Sequence, residues 1–173
     1  MTLSERLAEI LAGNANPRLF LDTAPVIYFV EINPTYLARV QSAFDLIDAG
    51  ELTAVTSPIT LAECLIHPYR LGLADVAQSF TDVIVNGENT LFAPVEQETA
   101  ERTAELRARY NLGLADAFQV ATALITGCDA FLTNDDSLKR ITEIRILVVD
   151  DFEPESTPTT DANGEELPPA SEE

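Results

Sequence analysis

Residues 112–138, LGLADAFQVATALITGCDAFLTNDDSL, are the stretch that decides the fold. Apolar side chains recur at helical spacing up to about residue 126, and Gly127 then ends the helix. The next five residues, DAFLT, have the length and composition of a buried strand. A helix followed directly by such a strand indicates a parallel βαβ unit, and the rest of the chain shows the same alternation.

Five short β-rich runs alternate with helical patterns over the first 152 residues. We expect strands at 18–22, 52–55, 90–92, 130–133 and 145–149, and helices at 24–31, 34–49, 58–66, 72–86, 96–110 and 114–126. A further short amphipathic helix is expected within residues 1–14. Asn33-Pro34 and Ser57-Pro58 should each begin a helix, and Gly50 should end one. The prediction is one α/β domain, a three-layer α/β/α sandwich with a central parallel sheet of about five strands.

The net charge of the chain restricts what it can bind. Ten basic and 29 acidic side chains give −19, which repels nucleic acid at long range and argues against a basic phosphate-binding patch. Seven of the acids and no base lie in residues 153–173, a Pro-, Thr- and Glu-rich segment predicted to be a disordered acidic tail. No apolar run is long enough to cross a membrane and the N-terminus does not resemble a signal peptide, so a cytoplasmic protein is expected.

Two of the 29 acids follow predicted strands at the edge where α/β proteins bind ligands. Asp22 ends the first strand, RLFLD, and Asp135 follows the fourth in the turn TNDDSL. Parallel strands share their direction, so both carboxylates should emerge at the same edge of the sheet. Taken singly, Asp22 is equally well explained as a helix cap, and Asp135 as a turn-forming residue.

Two further acids lie in apolar helices without a basic partner. Glu63 is in SPITLAECLIHP and Asp116 is in LGLADAF. A buried carboxylate is costly unless it is paired or binds a metal, and no Lys or Arg lies within one helical turn of Glu63. Alone, Glu63 is more often a partly exposed helix residue, and Asp116 could cap its helix after Gly113. Together the four acids predict a site for a hard cation with oxygen ligands.

The remaining reactive side chains give weaker signals. His67, the only histidine, stands before Pro68 at a predicted helix end and is a weak ligand candidate. Cys64 and Cys128 lie in apolar segments and are expected to be reduced and buried. One histidine and no nucleophile elbow make a triad hydrolase improbable, and the glycines occur singly rather than in a phosphate-binding loop.

Three stretches of the sequence resemble the PIN-domain ribonucleases, and most closely the VapC-like toxins of type II toxin–antitoxin modules. They are LFLDTAPVIYFVE, TLAECL and residues 112–138. The resemblance covers about residues 18–150. It places the family's acidic quartet on Asp22, Glu63, Asp116 and Asp135, and its supporting hydroxyls on Thr23 and Thr133. Asn134 and Asp136 lie nearby with a weaker expectation of a direct role.

This resemblance implies a function and partners. It implies an endoribonuclease that uses one or two Mg²⁺ or Mn²⁺ ions, a homodimer, an RNA substrate and a cognate antitoxin covering the active groove. Asp22, Asp116 and Asp135 are expected metal ligands, and Glu63 either binds metal or orients the attacking water. The alternatives are a housekeeping PIN-like nuclease of RNA maturation and an inactive PIN-like protein-binding module. A haloacid-dehalogenase-like phosphotransferase is a weaker alternative, since Asp22 has no acid two residues later.

The acidic tail departs from the family's pattern. Its simplest interpretation is a solubilising extension. A sharper hypothesis is that it acts as an RNA mimic and competes for a basic rim supplied in part by Arg102, Arg107 and Arg109. The alternative for these arginines is pairing within their helix, as Glu98 with Arg102 and Glu105 with Arg109 at i,i+4 spacing.

Overall fold

One parallel sheet of five strands forms the centre of the protein, whose structure is a computed structural model that describes residues 1–155. The strands are β1 Arg18–Leu21, β2 Thr53–Thr56, β3 Thr90–Phe92, β4 Ala130–Thr133 and β5 Arg145–Val148. Their order is β3-β2-β1-β4-β5, and all neighbours are parallel. The chain first builds the sheet outward from β1 on one side and later on the other. The crevice between β1 and β4 is therefore the topological switch point.

Seven α-helices accompany the sheet within the described residues. They are α1 Leu3–Gly13, α2 Thr23–Val30, α3 Leu37–Asp48, α4 Pro58–Leu71, α5 Ala74–Ile84, α6 Gln97–Tyr110 and α7 Leu114–Ile125. Two short 3-10 segments, Asp136–Arg140 and Val149–Asp151, follow β4 and β5.

Alternation along β1 divides the apolar residues into two cores. Leu19 and Leu21 pack into the core beneath α1 to α5, whereas Phe20 packs into the core beneath α6 and α7. On that second face, the ring of Phe20 stacks on that of Phe131 of β4, with centroids 4.9 Å apart. The predicted three-layer α/β/α sandwich with five parallel strands is confirmed.

Two predicted helix boundaries differ from the structure by more than two residues. Helix α4 does not end at residue 66 but continues through Pro68 to Leu71, and Gly72 then adopts a left-handed conformation with φ of 68°. A proline near a helix end costs one hydrogen bond while keeping a helical φ, and the Pro68 ring is buried. Helix α3 begins at Leu37 rather than at Pro34, because the Asn33 side chain accepts hydrogen bonds from the amides of Thr35 and Tyr36 in a separate turn.

The first residues of the predicted acidic tail contact the domain. The Glu155 amide donates to the carbonyl of Ala38 at 2.8 Å, and its carboxylate accepts from the Ser4 amide at the start of α1. Glu153 forms a parallel bridge with Thr2. The rest of the tail, residues 156–173, lies outside the described residues, so its predicted disorder stays a prediction.

Candidate active site

A cavity of about 470 Å³ lies at the carboxyl ends of β1 and β4. Its lining residues are Asp22, Thr23, Ala24, Ile27, Tyr28, Glu63, Ile66, Asp116, Thr133, Asn134 and Asp135. All four acids of the predicted quartet and both predicted hydroxyl residues are among them. The structure thus brings together residues that are up to 113 positions apart in the sequence.

Asp22 is held by contacts to both of its carboxylate oxygens. It caps α2, with Oδ1 accepting from the Thr23 amide at 2.7 Å, while Oδ2 accepts from the Thr133 hydroxyl at 2.6 Å. Burial raises the pKa of Asp22 from 3.8 to about 6, and the nearby charges of Glu63 and Asp116 add to this effect. The two hydrogen bonds act against it, because they favour the ionised form. Asp22 therefore both caps α2 and lines the cavity, so its interpretation as a helix cap and its interpretation as a site residue are compatible.

Glu63 reaches the cavity from α4 and is fixed through one oxygen. Its Oε2 accepts from the Thr23 hydroxyl at 2.5 Å and from the Gln119 amide at 2.8 Å. No hydrogen bond to Oε1 is found within residues 1–155. Gln119 is itself only 1% exposed and also lies within 3.4 Å of the Thr60 hydroxyl. A buried amide thus orients Glu63 and leaves its second oxygen available to the cavity.

Asp116 stands on the first turn of α7 without capping it. The helix begins after Gly113, and in the described residues the Asp116 carboxylate accepts no hydrogen bond. A Cβ atom at Gly113 would lie 2.8 Å from Asp116 Oδ2, so the glycine leaves the space that this carboxylate occupies. Burial raises the pKa of Asp116, the charges of Asp135 and Glu63 raise it further, and the charge of Arg140 lowers it.

Asp135 completes the quartet from the loop after β4. Its Oδ1 accepts from the Ser137 amide at 2.8 Å, which caps the following 3-10 segment, and its own amide donates to the Thr133 hydroxyl oxygen. The Thr133 side chain therefore contacts both Asp22 and Asp135. Thr23 in the same way contacts Glu63, so each predicted hydroxyl residue supports a member of the quartet.

The quartet is a set of oxygen donors with an excess of negative charge. Over residues 1–155, none of its four members forms an ion pair with Lys or Arg. As the side chains stand, the described residues contain no three His, Cys, Asp or Glu side chains close enough to hold one metal ion together. Mg²⁺, however, is commonly bound through one or two carboxylates with water completing its shell. The donor chemistry fits a hydrated Mg²⁺ or Mn²⁺ ion.

Several residues singled out in the sequence lie elsewhere. His67 is exposed on α4, and Asp136 is exposed and pairs with Lys139; neither lines the cavity. Cys64 is buried and Cys128 is partly buried, both as free thiols, and burial raises their pKa values to about 12 and about 11. Cys64 is therefore buried as predicted, whereas Cys128 is a partly buried residue packed against the core beneath α6 and α7.

The arginines of α6 are not among the residues that line the cavity. Arg102 pairs with Glu105, Arg109 pairs with Glu143, and Arg107 donates to the Leu112 carbonyl. The predicted i,i+4 pairs are wrong in detail, because Arg109 finds a partner on the neighbouring loop and Arg102 one at i+3. The spacing of charges along the helix does not determine which of several nearby acids each arginine pairs with.

Three residues at the site were not singled out from the sequence. Gln119 is a polar residue within an otherwise apolar helix face, a signal that was present in DAFQVATAL. Tyr28 lines the cavity from α2, and its hydroxyl accepts from the Asn134 side chain at 3.0 Å. The charge of Arg140, the last residue of the 3-10 segment, lowers the pKa of Asp116. The last two depend on tertiary placement, for which the sequence offers no local pattern.

The model of the PIN domain family matches residues 19–144, well over half of the chain. The chain belongs to the PIN domain family. The matched span contains all four acids of the quartet. No curated protein sequence matches it.

Solved structures of similar fold come from several bacteria. VapBC2 from Rickettsia felis, bound to a DNA fragment from its promoter, has a TM-score of 0.61 at 18% identity, covering 76% of this chain and 98% of that one. DNA-bound VapBC from Salmonella typhimurium has a TM-score of 0.57 at 21% identity, covering 77% and 98%. VapC20 from Mycobacterium tuberculosis, a Sarcin-Ricin loop cleaving toxin, has a TM-score of 0.56 at 19% identity, covering 73% and 98%. At these identities the likeness shows a shared fold.

Proposed function

We propose that this PIN-domain protein is a metal-dependent endoribonuclease and the toxin of a toxin–antitoxin pair. The observation that carries the proposal is the convergence of four unpaired carboxylates on one cavity at the switch point of the sheet. The similar solved structures support the role, since they include a toxin–antitoxin complex from Klebsiella pneumoniae and VapC20, a toxin that cleaves the Sarcin-Ricin loop. We further propose that the protein is cytoplasmic and forms a homodimer.

Asp22, Glu63, Asp116 and Asp135 would hold one or two Mg²⁺ or Mn²⁺ ions. Such an ion lowers the pKa of bound water and stabilises charge on a phosphodiester. It also reverses the local sign of the electrostatic potential, which lets an acidic protein approach RNA phosphates.

Within this site the protein residues have distinct roles. Thr133 holds Asp22 Oδ2 by hydrogen bonding, and this favours the ionised form that a cation needs. Thr23 and Gln119 hold Glu63 Oε2, so that Oε1 is directed to the cavity, where it can accept a proton from the attacking water. Asp116 and Asp135 are the more open carboxylates and supply further ligands.

The experiment is cleavage of a mixed RNA pool by the purified protein, with mapping of the product ends. We expect cleavage with Mg²⁺ or Mn²⁺, none with a chelator, and a loss of more than about 100-fold in Asp22→Asn, because even the partners of metal ligands cost up to that much. Asp75→Asn, which changes an exposed acid on α5, is the matched control. An Asp22→Asn protein that cleaves RNA at the wild-type rate would contradict the assignment.

A second experiment separates a toxin from a housekeeping nuclease of RNA maturation. A toxin should arrest growth when it is expressed alone, and an adjacent small reading frame should encode an antitoxin that binds it and restores growth. If no such neighbour exists and expression does not slow growth, the maturation role is favoured while the proposed chemistry stands.

A further inference from the structure

Tyr28 lines the cavity, and its hydroxyl is one of the few potential hydrogen-bond donors among the lining side chains. The four carboxylates of the cavity accept hydrogen bonds when ionised and cannot donate them. The Thr23 hydroxyl already donates to Glu63, and the Thr133 hydroxyl donates to Asp22. A substrate phosphate, which only accepts, needs donors that remain uncommitted.

The direction of the Tyr28 hydrogen bond follows from its neighbours. The backbone amide of Asp150 can only donate, and it donates to Asn134 Oδ1 at 3.0 Å. Asn134 must therefore present its Nδ2 to Tyr28, 3.0 Å away, and the Tyr28 oxygen is the acceptor in that contact. The Tyr28 O–H consequently has to donate elsewhere, and it has no protein acceptor within residues 1–155.

The ring that carries this hydroxyl is held rigidly. Tyr28 stacks on Tyr36 of the turn before α3, with centroids 4.1 Å apart and planes inclined by 11°. The Arg39 guanidinium lies 5.5 Å from the Tyr36 centroid and also pairs with the Asp150 carboxylate. The contacts run in a closed circuit from Tyr28 through Tyr36, Arg39, Asp150 and Asn134 back to Tyr28. They fix the position of the Tyr28 hydroxyl before a substrate binds.

We propose that Tyr28 is a substrate-binding residue, whose hydroxyl donates to a non-bridging phosphate oxygen of the RNA, and that Asn134 positions it. This inference rests on the proposed function. It gives the protein a contact to phosphate that requires no basic patch, in agreement with the net charge of −19. The Tyr28 hydroxyl is protonated near neutral pH, since the ordinary tyrosine pKa is 10.0 and burial raises the pKa of Tyr28.

Tyr28→Phe tests the proposal, because it removes the oxygen and retains the stacked ring. We expect KM for a defined RNA oligonucleotide to rise about tenfold or more, as for loss of a hydrogen bond to a charged group. The melting temperature should fall by only a few degrees, roughly the effect of the hydrogen bond that Asn134 loses. Tyr36→Phe is the matched control, since it removes a hydroxyl from the same stack but does not line the cavity. Its kinetics should equal those of the wild type.

Asn134→Asp tests the positioning role. An aspartate keeps the contact to the Asp150 amide but turns the group facing Tyr28 into an acceptor, to which the Tyr28 hydroxyl then donates its hydrogen bond. KM should rise as in Tyr28→Phe, and the double variant should show little additional loss. Additive losses would overturn the positioning role, because they would mean that the new charge acts by itself.

The outcomes for Tyr28 and for the proposed function are distinguishable. Wild-type protein that cleaves RNA while Tyr28→Phe and Tyr36→Phe share its KM and kcat overturns the role of Tyr28 alone. A Tyr28→Phe protein with a lowered melting temperature and an unchanged KM assigns the hydroxyl to stability and also overturns it. Wild-type protein that cleaves no RNA with either metal overturns the proposed function, and this inference with it.

Discussion

Asp22 links the acidity of the site to the stability of the domain. Its pKa is raised from 3.8 to about 6 in the folded protein, so between these values the folded state binds a proton that the unfolded state has lost. The free energy of unfolding therefore falls as the pH rises from about 4 to 6. The loss is on the order of 2 to 3 kcal/mol for this group without metal, and the raised pKa of Asp116 acts in the same direction.

Chemical denaturation of the metal-free protein at pH 4, 5, 6 and 7 measures this effect. Asp22→Asn should be more stable than the wild type at pH 7, because it removes a buried charge, and should lose less stability as the pH rises. Asp75→Asn controls for the loss of an ordinary exposed acid. Parallel pH profiles for Asp22→Asn and wild type would show that Asp22 is not responsible.

Gly113 offers a substitution that affects the site more than the fold. In Gly113→Ala the new methyl group would lie 2.8 Å from Asp116 Oδ2, and the carboxylate is the part free to move. We expect a loss of stability below about 1 kcal/mol, typical of a helix cap, together with at least tenfold slower metal-dependent cleavage. Gly13→Ala, where the methyl group meets no atom within 4 Å, should leave cleavage unchanged. Equal cleavage by the two variants would contradict this role.

At the scale of residues, the sequence was sufficient to select the four acids that line the cavity but not to identify the residues that contact them. Asp22 and Asp135 could be chosen because they follow strands, and Glu63 and Asp116 because they stand unpaired in apolar helices. Tyr28 could not, because its approach to the site depends on how α2 packs on the sheet.

Helix α7 places two functional groups one turn apart. Asp116 faces the open cavity, and Gln119, three residues later, reaches the buried side of Glu63. The helix thus connects two carboxylates of the quartet through one rigid element. This arrangement gives the buried amide a role beyond packing.

Gln119→Leu retains the volume of the side chain and removes its donor. Glu63 then loses a hydrogen bond at 2.8 Å. We expect a loss of roughly 1–3 kcal/mol in the free energy of unfolding and a 10- to 100-fold fall in metal-dependent cleavage, about the effect of losing a partner of a metal ligand. Both are measured well below the melting temperature. Gln78→Leu, on the exposed face of α5, is the control, and cleavage equal to that of the control would refute the role of Gln119.

Element positions were predictable where local chemistry determines them. Gly50 and Gly127 end their helices with φ of 75° and 67°, as their sequence context indicated. The start of α3 and the end of α4 were not predictable in this way. Asn33 forms a separate turn before α3, and the buried Pro68 remains within α4. Tertiary packing decided both cases.

At the scale of the whole molecule, residues 153–155 contact the N-terminal part of the domain. Glu155 contacts Ser4 and Ala38, so residues 153–155 pack against the domain, while the predicted boundary at residue 152 stays a prediction. Within residues 1–155 no helix is long and apolar enough to span a membrane.

Two truncations test the acidic tail. Removing residues 156–173 should change the melting temperature by less than about 2 °C, whereas removing residues 153–173 should lower it further, because the contacts of Glu155 are lost. If the tail acts as an RNA mimic, the first truncation also accelerates cleavage and alters its salt dependence. Cleavage and salt dependence identical to those of the full chain would contradict autoinhibition.

The central claim is that the four carboxylates hold a divalent cation, and calorimetric titration of the protein with Mn²⁺ at pH 7 tests it most directly. We predict one or two sites in the wild type, and at least tenfold weaker binding in both Asp22→Asn and Asp116→Asn, since even partners of metal ligands contribute about that much. Asp75→Asn should bind as the wild type does. Equal Mn²⁺ affinity in the wild type, Asp22→Asn and Asp116→Asn would contradict the account.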